Sequence, residues 1–243
     1  MKRYQILFFL LFFCASASYS QQVSAPSIQT SFQNFISTES GNVYRGSSLP
    51  VFMIKENTKG NRYLFEKWVK GSVTNDQNVR FLDPNVLYNY DKVGRKLLVL
   101  LDSSTVVEIN SSDVSKFTVS DDERTYTFQR LQNSTDLNYY EPVVENEKGY
   151  SLFKLLITKF KAADYQTNGL IQSGNKYDEY VDTEDFYLLT PKKEMIKLVL
   201  KEKSIKSVLN GDPKVESFFS AHKKGKIDEN LLKQLVDALN AGS

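Results

Sequence analysis

The sequence predicts an α+β protein in which an antiparallel β meander, rolled into a sandwich or a partly open barrel, precedes about three C-terminal helices. Three observations predict this class. Short apolar runs recur at intervals of roughly ten residues between positions 62 and 131, as in a meander. The block Leu97–Leu101 is wholly apolar and has the length of a strand buried on both faces. Residues 203–243 carry apolar side chains at helical spacing.

The start of the chain has the pattern of an export signal. The basic pair Lys2-Arg3 precedes the apolar run Ile6–Phe13, and a stretch of small residues ends at Ser20. We expect signal peptidase to cleave between Ser20 and Gln21, so that residues 1–20 are removed. The apolar run is far shorter than the roughly 20 residues that span a bilayer, so no transmembrane segment is expected in the mature chain.

The single cysteine, Cys14, lies inside this signal. Lipoprotein signals place a small residue before the lipidated cysteine, whereas Phe13 stands there, so lipidation is not expected. The mature chain then contains no cysteine, and its stability must come from its core rather than from disulfides.

The charge of the mature chain restricts the classes of partner. Loss of Lys2 and Arg3 reduces the 31 basic residues to 29, which equals the 29 acidic residues. A neutral chain lacks the basic excess that nucleic acid and anionic membranes require, so neither is an expected partner. About 220 mature residues are enough to bury one substantial core or two small ones.

Residues 21–58 are polar and rich in Ser, Asn and Gln. This composition predicts an extended, partly disordered leader with one strand or short helix at 51–55. The antiparallel β domain is expected over 59–202.

The first part of the β domain contains seven short runs separated by turn residues. In residues 125–130, aromatic and polar side chains alternate, which predicts that one face of the sheet is solvated. The seven predicted strands are 65–73, 79–82, 86–90, 96–101, 105–109, 116–120 and 125–131.

A second group of strands follows. Residues 139–144 contain a proline, which favours an edge strand. Residues 150–160 form the longest apolar-rich run of the mature chain and are read as a long strand, with a helix as the alternative. The polar stretch 162–184 is predicted to be a loop, and a hairpin is expected at 186–189 and 195–200.

Three helices are expected in the C-terminal segment 203–243. The first ends at Asn210-Gly211, and the second begins at Asp212-Pro213, where the aspartate can cap and the proline can occupy the first turn. Asp228 caps the third, with Ile227 and Leu232 placed as a hydrophobic staple. We expect these helices to pack on the β domain and to protect a face or edge of its sheet.

Several strings together resemble a family of secreted proteins from Bacteroidetes-type bacteria to which no function is assigned. These strings are Trp68–Gly71, Val86–Asp91, Val106–Ile109, Phe186–Leu188 and the terminal capped helix. The resemblance extends over residues 62–240. It implies export and a β-rich fold, and it implies no catalytic residue.

Aromatic side chains are the candidate ligand contacts. Trp68, Tyr88 and Tyr90 form a tentative ligand face, because aromatic rings stack on sugars while tyrosine hydroxyls bond their polar edges. Packing within the sheet is the alternative reading of the same residues.

No other set of residues predicts catalysis, a cofactor or a metal site. His222 is the only histidine and completes a helical stripe, so a packed or capping role is expected. The carboxylates of Asp121-Asp122-Glu123 and those within 178–185 could serve a glycosidase-type pair, and the 178–185 cluster could alternatively hold Ca²⁺ loosely. Solvated turns are the preferred reading of both groups.

The sequence therefore predicts a non-enzymatic, exported interaction protein of the cell envelope or the medium, either periplasmic, outer-membrane-associated or extracellular. The alternative is a glycan or small-ligand binding module that uses the tyrosine-rich face. The expected partner is accordingly an envelope protein, a glycan or a small ligand.

Overall fold

The computed structural model describes Phe32, Phe35 and residues 42–52, 55–131, 136–169, 171–222 and 225–241. These residues form mostly antiparallel strands in several sheets, one of them a partly open half-barrel, followed by three helices, so the predicted α+β class is confirmed. The predicted cleavage site at Ser20 and Gln21, and most of the predicted leader, lie outside the described residues.

The first sheet has the strand order β1–β7–β6–β5. Leu97, Val99 and Leu101 face the main core, whereas Leu98 packs on the other face against a smaller cluster. The apolar block is therefore buried on both sides, as its composition predicts. The strands are β1 (Val43–Arg45), β5 (Leu87–Asp91), β6 (Lys96–Asp102) and β7 (Thr105–Ile109).

The second sheet has the order β4–β3–β8–β9. Phe117, Val119 and Phe128 point into the main core, while the alternate residues of the same strands form a polar face. The predicted alternation is thus observed. A bridge between Val69 and Tyr88 joins this sheet to the first. Its strands are β3 (Lys70–Thr74), β4 (Arg80–Phe81), β8 (Lys116–Ser120) and β9 (Thr125–Gln129).

The third sheet has the order β10–β11–β14–β15 and follows the second through a bridge between Gln129 and Tyr140. Continuous pairing from Ser151↔Leu189 to Lys161↔Glu179 establishes the long strand predicted at 150–160. The short strand β2 (Thr58–Lys59) runs parallel to β14. The other strands are β10 (Glu141–Val144), β11 (Ser151–Lys161), β14 (Asp178–Leu189) and β15 (Met195–Leu198).

The loop predicted over 162–184 is wrong. Strands β12 (Gln166–Asn168) and β13 (Ile171–Ser173) pair as a hairpin, and β14 already begins at Asp178. The polar residues 178–184 are strand because β11 offers them a complete backbone partner, which outweighs their weak intrinsic preference for strands.

Two further boundaries differ from the expectation. Val51 and Phe52 have no regular structure, and residues 53–54 lie outside the described part. The strand predicted from Phe65 begins only at Lys70, because the Asn89 side chain holds the Phe65 backbone in place of a sheet ladder. Phe65 N–H donates to Asn89 Oδ1 at 3.2 Å, and Asn89 Nδ2 donates to Phe65 O at 2.8 Å.

Three helices close the chain: α1 (Glu202–Val208), α2 (Pro213–Ala221) and α3 (Glu229–Asn240). Asp212 accepts a hydrogen bond from Lys214 N–H, and Asp228 accepts one from Leu231 N–H, so both predicted caps are observed. Leu232 and Leu235 of α3 pack with Leu152 of β11 in a second core. The helices therefore cover one face of the third sheet.

A charged group also anchors α3. The Lys154 ammonium of β11 lies 3.0 Å from Glu229, 3.1 Å from Glu141 and 3.6 Å from Glu184. Burial lowers the pKa of Lys154, but the bonds and charges of these carboxylates outweigh it and raise that pKa above its ordinary value. The amine stays charged and joins β11 to three other elements, β10, β14 and α3.

Candidate functional site

The tentative ligand residues Trp68, Tyr88 and Tyr90 do not share one surface. Tyr88 and Tyr90 are 0% and 1% exposed and belong to the main core, where Tyr90 stacks on Phe128 at 5.2 Å between ring centroids. Trp68 packs in another cluster, 4.7 Å from the ring of Phe52. The ligand face expected from the sequence is therefore not assembled, because the second sheet covers the face of β5 that carries both tyrosines.

Burial controls the ionisation of these tyrosines. It raises the pKa of Tyr88, with a further increase from the charge of Asp83. It also raises the pKa of Tyr90 and Tyr139, against a lowering by Arg95 and Arg130 respectively. All three hydroxyls stay protonated at neutral pH and act as structural groups.

The other residues considered for chemistry have structural roles. His222 ends α2, its Nδ1 lies 2.9 Å from Phe218 O, and its ring stacks on Phe218, as a capping residue would. Asp121 Oδ1 accepts from the backbone N–H of Glu123 and Arg124 at 3.0 and 2.7 Å, which builds its turn. No group of three or more metal-ligating side chains is placed to hold an ion in the described part of the chain.

The carboxylates of 178–185 lie in β14 and not in the turn expected from the sequence. Asp182 accepts from Thr158 Oγ1 at 2.5 Å and pairs with the Lys92 ammonium. Asp185 pairs with Lys197 at 2.6 Å. Each of these two carboxylates is bonded to a side chain of a neighbouring strand or turn. The two therefore do not face a common space as the acid and base of a catalytic pair.

A groove of about 650 Å³ lies on the polar face of the second sheet. Alternation along each strand puts hydroxyl side chains on this face, since their neighbours Val73, Phe117 and Phe128 point into the core. We call this the hydroxyl groove. The five hydroxyl residues that line it are Ser72, Thr74, Thr118, Thr125 and Thr127.

Cross-strand bonds organise the floor of the hydroxyl groove. Thr118 and Thr127 are paired in the β8–β9 register, and their hydroxyl oxygens lie 3.0 Å apart. Ser72 stands opposite Thr118 in the β3–β8 register. The hydroxyls therefore form a row across three strands, about 5 Å apart from strand to strand.

The two walls of the hydroxyl groove carry opposite charges. Arg80 of β4 stands at one end of the strand order, and its Nε and Nη2 donate to Ser72 Oγ at 3.2 and 3.0 Å. Glu141 and Glu145, in and just after β10, line the other end. The groove exists because the Gln129–Tyr140 bridge brings β10 beside β9.

A smaller cavity of about 220 Å³ lies between residues 51–63 and the third sheet. Phe52, Tyr63, Phe160 and Tyr180 contribute its aromatic lining. Phe160 is 49% exposed and its ring lies 5.1 Å from that of Tyr180. This cavity therefore presents exposed aromatic surface, whereas Tyr88 and Tyr90 do not.

Beyond this cavity, residues 162–177 form a hairpin that we call the distal hairpin. Apart from Asn175, every side chain described in it is exposed. Asp164 N–H donates to Asn175 O at 3.0 Å, and Asn175 N–H donates to Asp164 Oδ1 at 2.6 Å. The distal hairpin is ordered by its own bonds.

Sequence reasoning missed the hydroxyl groove, although part of its signal was visible. The alternating polar residues of β9 predict a solvated face, but nothing local indicates that Glu141 and Glu145 border it. That neighbourhood depends on the pairing of strands far apart in the chain.

Comparison with models of known protein families gives no match, and comparisons with curated proteins and with solved structures give none either. Among the described residues, no helix combines the length and apolar character needed to cross a bilayer.

Proposed function

We propose that this chain is an exported, non-enzymatic interaction protein of a bacterial envelope or of its surroundings. The export pattern ending at Ser20 and Gln21, the neutral mature charge and the resemblance to secreted Bacteroidetes-type proteins support this proposal. The expected location is periplasmic, outer-membrane-associated or extracellular, and the expected partner is an envelope protein.

The distal hairpin is the observation that carries this proposal. It presents Tyr165, Ile171 and Tyr177 at 37%, 72% and 39% exposure. The residues of this hairpin that the structure describes contribute to none of the core clusters. An ordered, projecting hairpin with apolar side chains exposed has the features of a contact surface, because burial of those side chains by a partner is favourable.

Site-directed photo-crosslinking in the native host tests the proposal. A photoreactive amino acid at Tyr165, Ile171 or Tyr177 is expected to give one adduct of defined mass in the envelope fraction. Val199 is the matched control, since it is an exposed aliphatic residue at 53% exposure outside the distal hairpin.

The same experiment can contradict the proposal. Equal labelling from Val199, or no adduct from any of the three hairpin positions, would remove the distal hairpin as a contact surface. Amino-terminal sequencing of the native protein tests export separately, with Gln21 as the expected first residue.

The second candidate function is a glycan or small-ligand binding module, and the hydroxyl groove favours it. The groove has the volume of a small-molecule site and presents both donors and acceptors. In this candidate function the binding surface is the hydroxyl groove and not the tyrosine-rich face expected from the sequence, since Tyr88 and Tyr90 are buried. Ligand-induced shifts of the Ser72 and Thr118 amide resonances are its direct test.

A further inference from the structure

Two cations stand in one row of the hydroxyl groove. Arg80 pairs with Thr74 across β3 and β4, and Thr74 pairs with Lys116 across β3 and β8. Directly paired residues point to the same face, and adjacent strands lie about 5 Å apart. Arg80 and Lys116 therefore flank Thr74 with their backbones about 10 Å apart.

Neither cation is neutralised by the described part of the chain. Arg80 donates to the uncharged Ser72 hydroxyl, and neither Arg80 nor Lys116 has a carboxylate within ion-pair distance among the described residues. Arg130, at the end of β9, is by contrast paired with Asp76. The groove thus offers positive charge together with guanidinium N–H groups that remain free to donate.

Among the described residues, no carboxylate of the acidic wall lies within ion-pair distance of Arg80 or Lys116. Glu141 lies 3.1 Å from the Lys154 ammonium, and Glu145 Oε1 accepts from Gln129 Nε2 at 2.7 Å. Glu141 shares this one ammonium with Glu184 and Glu229, and Glu145 bonds an uncharged amide, so both carboxylates keep negative charge at the wall opposite Arg80. Both carboxylates keep lone pairs that can accept hydroxyl groups from a ligand.

The floor selects for hydroxyl groups rather than for apolar ring faces. Ser and Thr hydroxyls both donate and accept, so a row of them matches a ligand with several hydroxyls. Among the described residues, Phe117 is the only aromatic residue that lines the groove, and its side chain is 1% exposed. Recognition here would use hydrogen bonds and charge, without aromatic stacking.

We infer that the hydroxyl groove binds an acidic oligosaccharide, with a sugar carboxylate between Arg80 and Lys116 and sugar hydroxyls on the Ser and Thr floor. This inference rests on the second candidate function and specifies its ligand class. Hydroxyl-rich sugars satisfy the floor, and the acidic group supplies the counter-charge that the row of cations lacks.

Titration of the mature protein with three probes tests the inference. The probes are a trigalacturonate, the same trisaccharide with its carboxyl groups reduced to alcohols, and inorganic phosphate. We expect the trigalacturonate alone to shift the amide resonances of Ser72, Thr118 and Thr127. Its affinity should weaken as salt is raised, because salt screens the charge contribution.

Variants test whether trigalacturonate binding depends on the charges of Arg80 and Lys116. Arg80→Met and Lys116→Met are each expected to weaken trigalacturonate binding about tenfold, as loss of a charged hydrogen bond does. Lys233→Met is the matched control, because Lys233 is an exposed residue of α3 and the variant removes the same charge away from the groove. It should leave the affinity unchanged.

Every alternative outcome contradicts a different part of the inference. Equal binding of the reduced trisaccharide would keep a ligand-binding groove and overturn its acidic specificity. Equivalent shifts with phosphate alone would overturn the role of the hydroxyl floor. No shift with any probe would overturn both the inference and the second candidate function. A Lys233→Met effect as large as those of Arg80→Met and Lys116→Met would mean that binding reflects non-specific charge.

Discussion

The Lys92 ammonium lies 2.6 Å from Asp182 Oδ2, and this ion pair joins two sheets through residues 90 positions apart. Lys92 follows β5, and Asp182 lies in the half of β14 that was expected to be a loop. The two side chains differ in burial, at 7% exposed for Lys92 and 46% for Asp182. Loss of the carboxylate would therefore leave a buried charge, whereas loss of the ammonium would leave a carboxylate that water can reach.

Asp182→Asn is expected to lower the free energy of unfolding by about 2–3 kcal/mol, because it leaves the buried Lys92 ammonium without its carboxylate. Lys92→Met should lower the free energy of unfolding by less, since water can solvate the Asp182 carboxylate. Urea unfolding followed by the fluorescence of the single tryptophan, Trp68, measures both.

Asp185→Asn is the matched control for this prediction, because its partner Lys197 is 54% exposed and the pair is a surface one. It should cost less than about 1 kcal/mol. A larger loss for Lys92→Met than for Asp182→Asn would contradict the burial argument.

Two buried tyrosines give opposite predictions for loss of the hydroxyl. Tyr139 OH donates to Val114 O at 3.0 Å, so Tyr139→Phe should destabilise the chain by about 1–2 kcal/mol. The Tyr88 hydroxyl has no hydrogen-bond partner among the described residues, so Tyr88→Phe should be neutral or stabilising. Thermal unfolding of the two variants, which make the same chemical change, provides the comparison.

Alkaline pH is expected to unfold the protein. Burial raises the pKa of Tyr88, Tyr90 and Tyr139 above the ordinary value of 10.0. The unfolded chain loses these protons from about pH 10 while the folded chain retains them, so stability is intact below that pH and falls above it. The share of the tyrosinate absorbance that comes from these three buried tyrosines should appear together with the loss of far-ultraviolet circular dichroism, and buried tyrosines that ionise without loss of structure would contradict this.

Asn240 holds the end of α3 against the start of β11. Its Oδ1 accepts from Tyr150 N–H at 2.8 Å, and its Nδ2 donates to Tyr150 O at 2.9 Å. Asn240→Ala should therefore cost about 1–2 kcal/mol and speed hydrogen exchange at the Tyr150 amide. Gln234→Ala, at an exposed position of the same helix, should change neither quantity.

Local sequence patterns predict the elements whose burial and capping depend on residues nearby in the chain. Leu97–Leu101 is apolar on both faces and is buried on both. Asp212 and Asp228 cap helices because a short carboxylate can reach the free N–H groups of the first turn. These features depend on neighbours a few positions away, so the sequence was sufficient to predict them.

Other features depend on which strands pair. Residues 178–184 are strand because β11 provides their partners, and Tyr88 and Tyr90 are core because the second sheet covers their face of β5. The aromatic pattern of β5 would be the same whether that face met water or protein.

The sequence by itself determined the α+β class, the sheet centre, the helix caps and the alternation that solvates one face of β9. Only the tertiary structure decided which aromatic residues are accessible, and that Arg80, Lys116 and Glu145 border one hydroxyl groove. The physical reason is that side-chain alternation is a local property of a strand, whereas the covering of a face is set by backbone hydrogen bonds between strands distant in the chain.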